Sequence, residues 1–214
     1  MIISDKYKCI FIRVPKTGST SVEKMFLRFD PDCIISDDNK PPYGHFRASQ
    51  LKKMVGEDKW NTYFKFGFFR DPKKWFLSGY NDNANYNYQC DQLNIIGLGT
   101  DGYLHKPDDK VLSVNDCITF YIMLRNWFLG PTQLTYLDED INFMGTLENF
   151  ENDIKHIFTT LKIDCNLDNT ENKVLHTNKS MSEQLSLSED SEKFLDLVLE
   201  KDIRFYNKLI SERL

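Results

Sequence analysis

Apolar residues in this chain fall into short unbroken runs and helical stripes, separated by turn-forming clusters. Cys9-Ile10-Phe11-Ile12 is continuously apolar, which predicts a strand from Cys9 to Val14 buried on both faces. Val22 to Leu27 reads as helix, running to about Phe29 and stopping before Pro31. Cys33-Ile34-Ile35 suggests a short strand, Ser36 to Pro42 a loop, and Ser49 to Val55 a short helix. Thr62 to Phe69 is aromatic and β-branched, hence a strand, closed by Arg70-Asp71-Pro72, after which Lys74 to Tyr80 begins a helix. Residues 81–110 are polar and without a sustained period, and read as a long surface excursion. Val114 to Leu129 reads as a buried helix and Ile141 to Thr146 as a strand. Phe150, Ile154, Ile157, Phe158 and Leu161 form the stripe of an amphipathic helix. Ser186 and Glu189 suggest a capping box for a last helix through Leu209. Strands alternating with helices predict an α/β domain with a mainly parallel sheet, whose ligands bind at the carboxyl ends of the strands.

Length and composition narrow this reading. The chain has 214 residues, 41% of them hydrophobic, enough to fill the core of one domain spanning 1–214. No apolar run approaches the roughly 18 residues of a membrane span, and Met1 to Lys6 shows no signal-peptide pattern, so a soluble cytoplasmic protein is expected. The five cysteines are widely spaced with no metal-ligand pattern, so free thiols are expected and no metal site is read. Net charge is −5, but residues 1–80 carry 15 Lys and Arg against 9 Asp and Glu. That imbalance suits a local anionic ligand better than a nucleic-acid surface, which would need a broad basic stripe.

The chemistry concentrates in Arg13-Val14-Pro15-Lys16-Thr17-Gly18-Ser19-Thr20-Ser21. A buried strand, a tight turn with Gly, Lys and hydroxyls, and then a helix start form an anion site built from backbone N–H groups, the helix dipole and one full charge. ATP-binding loops place Lys after their glycines, whereas Lys16 precedes Gly18. A second segment, Arg70-Asp71-Pro72 with Ser78 two turns further on, could clamp another phosphate, Arg through its planar fork and Ser through its hydroxyl. Gly97 to Gly102 matches G-x-G-x-x-G, but no long strand precedes it and Pro107 interrupts a following helix, so it is set aside as a dinucleotide site.

These segments together resemble a carbohydrate sulfotransferase, in particular the heparan sulfate 2-O-sulfotransferase branch. The first loop is similar to that family's 5′-phosphosulfate loop, and Phe69-Arg70-Asp71-Pro72 with Ser78 and Tyr80 to its 3′-phosphate motif. Weaker echoes are Gly145 to Phe150, His176 to Ser180 and Asp202 to Tyr206. The resemblance implies a P-loop-like three-layer domain, a central mainly parallel sheet flanked by helices. It implies transfer of a sulfuryl group from 3′-phosphoadenosine 5′-phosphosulfate (PAPS, leaving PAP) to a hydroxyl-bearing acceptor, a glycan, without a metal ion. Arg13, Lys16, Thr17, Gly18, Ser19, Thr20 and Ser21 would hold the phosphosulfate, and Arg70 and Ser78 the 3′-phosphate, with Asn178, Lys179 and Ser180 as further nucleotide contacts.

In the same branch a Gly-His step carries the catalytic base, which maps to Gly44-His45. An imidazole, which titrates near neutrality, suits removal of a proton from an alcohol. His105 is a residue that could approach the acceptor, His176 could lie near the nucleotide, and His156 on the amphipathic stripe reads as structural. The expected mechanism is in-line displacement at sulfur, with Lys16 stabilising charge on the leaving phosphate. Two other readings stay open from the residues: a P-loop nucleotide kinase or NTPase, and a non-catalytic nucleotide- or glycan-binding module. Acceptor identity and oligomeric state are not legible.

Overall fold

Alternation along β2 (Cys9–Ile12) shows why the first apolar run is unbroken. Cys9 and Phe11 point into one core with Val22, Met25, Phe26, Ile154, Ile157 and Phe158. Ile10 and Ile12 point into another with Ala48, Leu51 and Trp60. Successive strand residues face opposite sides, so a strand covered by helices on both faces has no polar position to offer.

The computed structural model describes residues 1–36, 44–87, 132–164 and 187–213. Its strands, numbered in chain order, are β1 (Ile2–Ser4), β2, β3 (Ile34–Ile35), β4 (Phe64–Phe69) and β5 (Phe143–Thr146). Its helices are α1 (Ser19–Phe29), α2 (Ala48–Val55), α3 (Glu57–Thr62), α4 (Pro72–Asn87), α5 (Phe150–Thr160), α6 (Glu189–Val198) and α7 (Glu200–Ser211). The chain divides into two units, Met1–Arg70 with Gln133–Lys179, and Asp71–Thr132 with Ser180–Leu214.

The first unit holds the sheet, in the order β3-β1-β2-β4-β5. Pairings β2–β4 and β4–β5 are parallel, while β1 is antiparallel to both β2 and β3. The fold is therefore α/β as expected, but the sheet is mixed rather than mainly parallel. The cause is β1, a three-residue strand that Asp5 and Lys6 hide from a sequence reading and that returns into β2 as a hairpin. Aromatic rings fill the core under α1 and α5: Phe11 stacks on Phe66 at 5.1 Å, and Phe26 meets Phe158 edge-on at 5.4 Å.

The expected Thr62–Phe69 strand begins two residues late, because Thr62 ends α3. Glu57 and Asp58 favour the start of that helix, and buried Lys65 donates to the carbonyls of Trp60 (2.8 Å) in its last turn and of Tyr63 (3.1 Å) at its C-cap. Burial pushes the Lys65 ammonium below its ordinary range. Residues 81–87, expected in the surface excursion, continue α4.

Gly145 sits in β5 where no side chain fits, since an added Cβ would lie 2.5 Å from the ring of fully buried Phe68. Phe68 is itself held by Phe150, with ring centroids 4.9 Å apart. Gly145→Ala is expected to destabilise the chain by about 1–3 kcal/mol, read as a lower denaturant midpoint at unchanged slope.

In the second unit Asp71 and Pro72 begin α4 in the ordinary way. Asp71 Oδ1 accepts from Lys74 N at 2.9 Å, and Pro72 takes the first helical position, where no N–H is needed. Trp75 and Phe76 pack with Leu195 and Leu199, and Lys73 pairs with Asp196 at 2.8 Å. The last helix is two helices broken at Leu199, and the cap is Ser188, whose hydroxyl accepts from Ser191 N at 3.3 Å, not Ser186. Among the described residues no helix is long and apolar enough to cross a membrane. The 37–42 loop, the 114–129 helix, the glycine run 97–102, Ser186, His105, His176, Asn178, Lys179 and Ser180 lie outside the described residues.

Candidate active site

Parallel register brings the two sequence motifs to one edge of the sheet. Ile12 at the end of β2 stands opposite Gly67 of β4, so the loop leaving β2 and the residue ending β4 emerge side by side. The meeting is direct: Arg70 Nη1 donates to the backbone carbonyl of Lys16 at 3.4 Å, across 54 residues of sequence.

The loop turns through left-handed backbone at two residues. Lys16 has φ 60°, uncommon for a residue with a Cβ, and Gly18 has φ 82°. At Gly18 space matters as well, because an added Cβ would lie 2.8 Å from Leu147 and 3.4 Å from Phe150. Both neighbours belong to the Gly145 to Phe150 segment. The segment runs from strand through a short 3₁₀ turn, Leu147–Asn149, into α5, and its first residues close over Gly18. Buried Asp153 fixes that turn, accepting from Thr146 N at 2.6 Å and Asn149 Nδ2 at 3.0 Å.

Helix α1 starts with no side-chain cap and no acidic residue in its first turn. Ser21 N and Val22 N donate to Gly18 O, whereas among the described residues the N–H groups of Gly18, Ser19 and Thr20 meet no acceptor. Unsatisfied amides, the positive end of the helix dipole and the half-exposed Lys16 thus converge on one spot.

Not every side chain of the loop faces outward. Thr17 is buried and its hydroxyl donates to Val14 O at 3.0 Å, closing the turn. Arg13 is 7% exposed, donating through Nε to Ser19 Oγ at 3.3 Å, with Nη1 3.3 Å from Glu23 Oε2. That carboxylate oxygen is buried and makes no aligned hydrogen bond, so the ion pair is what compensates its charge. Arg13 accordingly ties the loop to α1.

His45 comes to the same edge by a different route. It follows Gly44, whose φ is 78° and whose carbonyl accepts from the Met1 nitrogen at 2.9 Å. His45 Nδ1 lies 2.9 Å from Arg13 O. A carbonyl only accepts, so the proton is on Nδ1, and in the neutral ring Nε2 carries the lone pair. The ring also meets Tyr136 edge-on, centroids 6.5 Å apart at 71°.

Gln133, fully buried, was missed by the sequence reading. Its Oε1 accepts from Arg70 N and its Nε2 donates to Arg70 O, both at 2.9 Å. Ser78 is buried on α4 in the second unit, so the first-unit geometry concerns Arg70 alone. His156 is exposed on α5 with its ring 4.6 Å from that of Phe143. Among the described residues no group of three or more His, Cys, Asp or Glu could hold a metal ion.

The profile of the sulfotransferase family matches residues 1–210, and the chain belongs to that family. Carbohydrate sulfotransferase 10 of Gallus gallus is 25% identical over 199 residues, covering 77% of this chain and 52% of the chicken protein. The proteins of the same name from Rattus norvegicus and Homo sapiens are 28% and 26% identical over 96 and 99 residues, each covering 41% of this chain and 26% of the relative. The chain thus spans about half the length of the chicken relative and about a quarter of the mammalian ones. These relatives do not support the narrower resemblance to the heparan sulfate 2-O-sulfotransferase branch. No solved structure matches the chain.

Proposed function

We propose that this chain transfers a sulfuryl group from PAPS to a hydroxyl of a carbohydrate acceptor. The observation that carries the reading is the meeting of Lys16 and Arg70 beside the uncapped start of α1, in a chain of the sulfotransferase family. A carbohydrate acceptor is suggested by the names of the relatives. When bound, the donor supplies an activated sulfuryl group on a phosphate leaving group. The residues present fit its phosphosulfate end: three amides without acceptors among the described residues, no carboxylate in the first turn of α1, and one ammonium.

Lys16 and the amides of Gly18, Ser19 and Thr20 bind the phosphosulfate and stabilise negative charge on the departing phosphate. Arg70 addresses the 3′-phosphate, for which its planar fork is suited. The Nδ1–H bond to Arg13 O turns the His45 ring and puts the lone pair on Nε2, the atom that accepts the acceptor's proton. With the 2-O branch unsupported, His45 rests on this geometry. Arg13 holds the loop and the imidazole together, one through its side chain and the other through its carbonyl. The reaction needs no metal ion in this proposal.

The test is incubation with donor labelled in the sulfuryl group and a panel of neutral and acidic glycans. Label on a glycan, dependent on the protein, is expected. Donor binding without transfer to any hydroxyl would make the chain a binding module, and labelling from ATP in place of PAPS would make it a kinase.

A further inference from the structure

The 3₁₀ turn Gln133–Tyr136 reaches both groups of the site from a distant part of the sequence. Three residues per turn place Gln133 and Tyr136 on one side of it. We infer that this turn is the positioning element of the site: Gln133 fixes Arg70 through its main chain, and Tyr136 fixes the plane of the His45 ring. The inference rests on the nucleotide reading above and adds two positioning residues to it.

The reason lies where the sheet stops. The β4–β5 ladder runs from Phe66 opposite Phe143 to Phe69 opposite Thr146, so Arg70 is one residue beyond its last pair. There the Gln133 carboxamide takes over, offering one acceptor and one donor to Arg70 N–H and C=O, as a neighbouring strand would. The strand is thereby extended by one residue, and the Arg70 side chain leaves from a fixed base to reach Lys16 O. A carboxamide buried without partners is costly, and both polar ends of this one are matched by Arg70.

Tyr136 acts on His45 in a complementary way. The bond to Arg13 O anchors the ring at Nδ1, and the edge-on tyrosine gives the imidazole plane a second contact. Burial raises the Tyr136 hydroxyl above its ordinary range, with nearby Arg47 opposing, so this ring stays neutral and acts as a wall.

The test uses Gln133→Met, which keeps the side-chain shape, and Tyr136→Leu. Affinities for PAP and ADP, transfer kinetics, and ligand-free hydrogen exchange at the Arg70 amide are measured for each. Gln133→Met is expected to weaken PAP about 10-fold with little change for ADP, and to speed Arg70 exchange about 10-fold while residues 64–69 stay protected. Tyr136→Leu is expected to lower kcat about 10-fold at unchanged PAP affinity. Wild-type PAP-to-ADP discrimination in Gln133→Met, or unchanged exchange at Arg70, overturns the role of Gln133. Unchanged kcat in Tyr136→Leu overturns that of Tyr136. Absence of PAP preference in the wild-type chain overturns the nucleotide reading instead, and the exchange experiment still decides whether Gln133 holds Arg70.

Discussion

Replacing His45 by alanine is expected to lower turnover about 10²–10⁴-fold while leaving PAP affinity within a small factor of the wild-type value. The alcohol of a sugar is a weak nucleophile until its proton has somewhere to go, and His45 Nε2 is the site's candidate acceptor of that proton. His45→Asn separates base from anchor. An asparagine Nδ2 stands where Nδ1 does and can still donate to Arg13 O, so the loop keeps its hydrogen bond, but it has no basic nitrogen. Both variants should therefore lose turnover alike. Near-normal turnover in either removes His45 from the chemistry, whereas a loss in the alanine variant that asparagine restores makes it an anchor only.

Lys16→Met should damage binding and chemistry together, with kcat falling about 10²–10³-fold, the usual effect of removing one preorganised group from developing charge. Methionine keeps the stem and the Cβ, so the left-handed backbone at this position costs much the same in both proteins. The difference then reports the ammonium. The amides of Gly18, Ser19 and Thr20 remain, so residual donor binding should persist and weaken with added salt. Steady-state kinetics with donor varied checks this, and unchanged kcat and KM would refute the assignment.

What could be read from the sequence was what is local. The apolar run at Cys9, the Gly18 turn and the helix that follows are fixed by neighbours within about a dozen residues, and they stand where the pattern put them. The turn at Asp71 and Pro72 was legible as the end of the strand, though α4 starts at Pro72, two residues before the expected Lys74. The rest depends on distant partners. Strand β1 is too short to show a period and exists because β2 and β3 flank it. Gln133 is one polar residue among many until folding carries it 63 positions back to Arg70. Arg13 was placed at the phosphosulfate by resemblance, and its contacts with Ser19 and Glu23 arise only once the loop is folded against α1.

The central claim, that Lys16 and Arg70 grip one 3′-phosphorylated nucleotide, is tested most directly by thermal stabilisation of the intact chain with PAP, ADP and ATP at matched concentrations. A ligand at 100-fold its Kd contributes about 2.7 kcal/mol, an upward shift of roughly 5–10 °C for a chain of this size. PAP alone is expected to give a shift of that order, and Arg70→Ala should abolish the preference. Equal stabilisation by all three nucleotides, or by none, would contradict it.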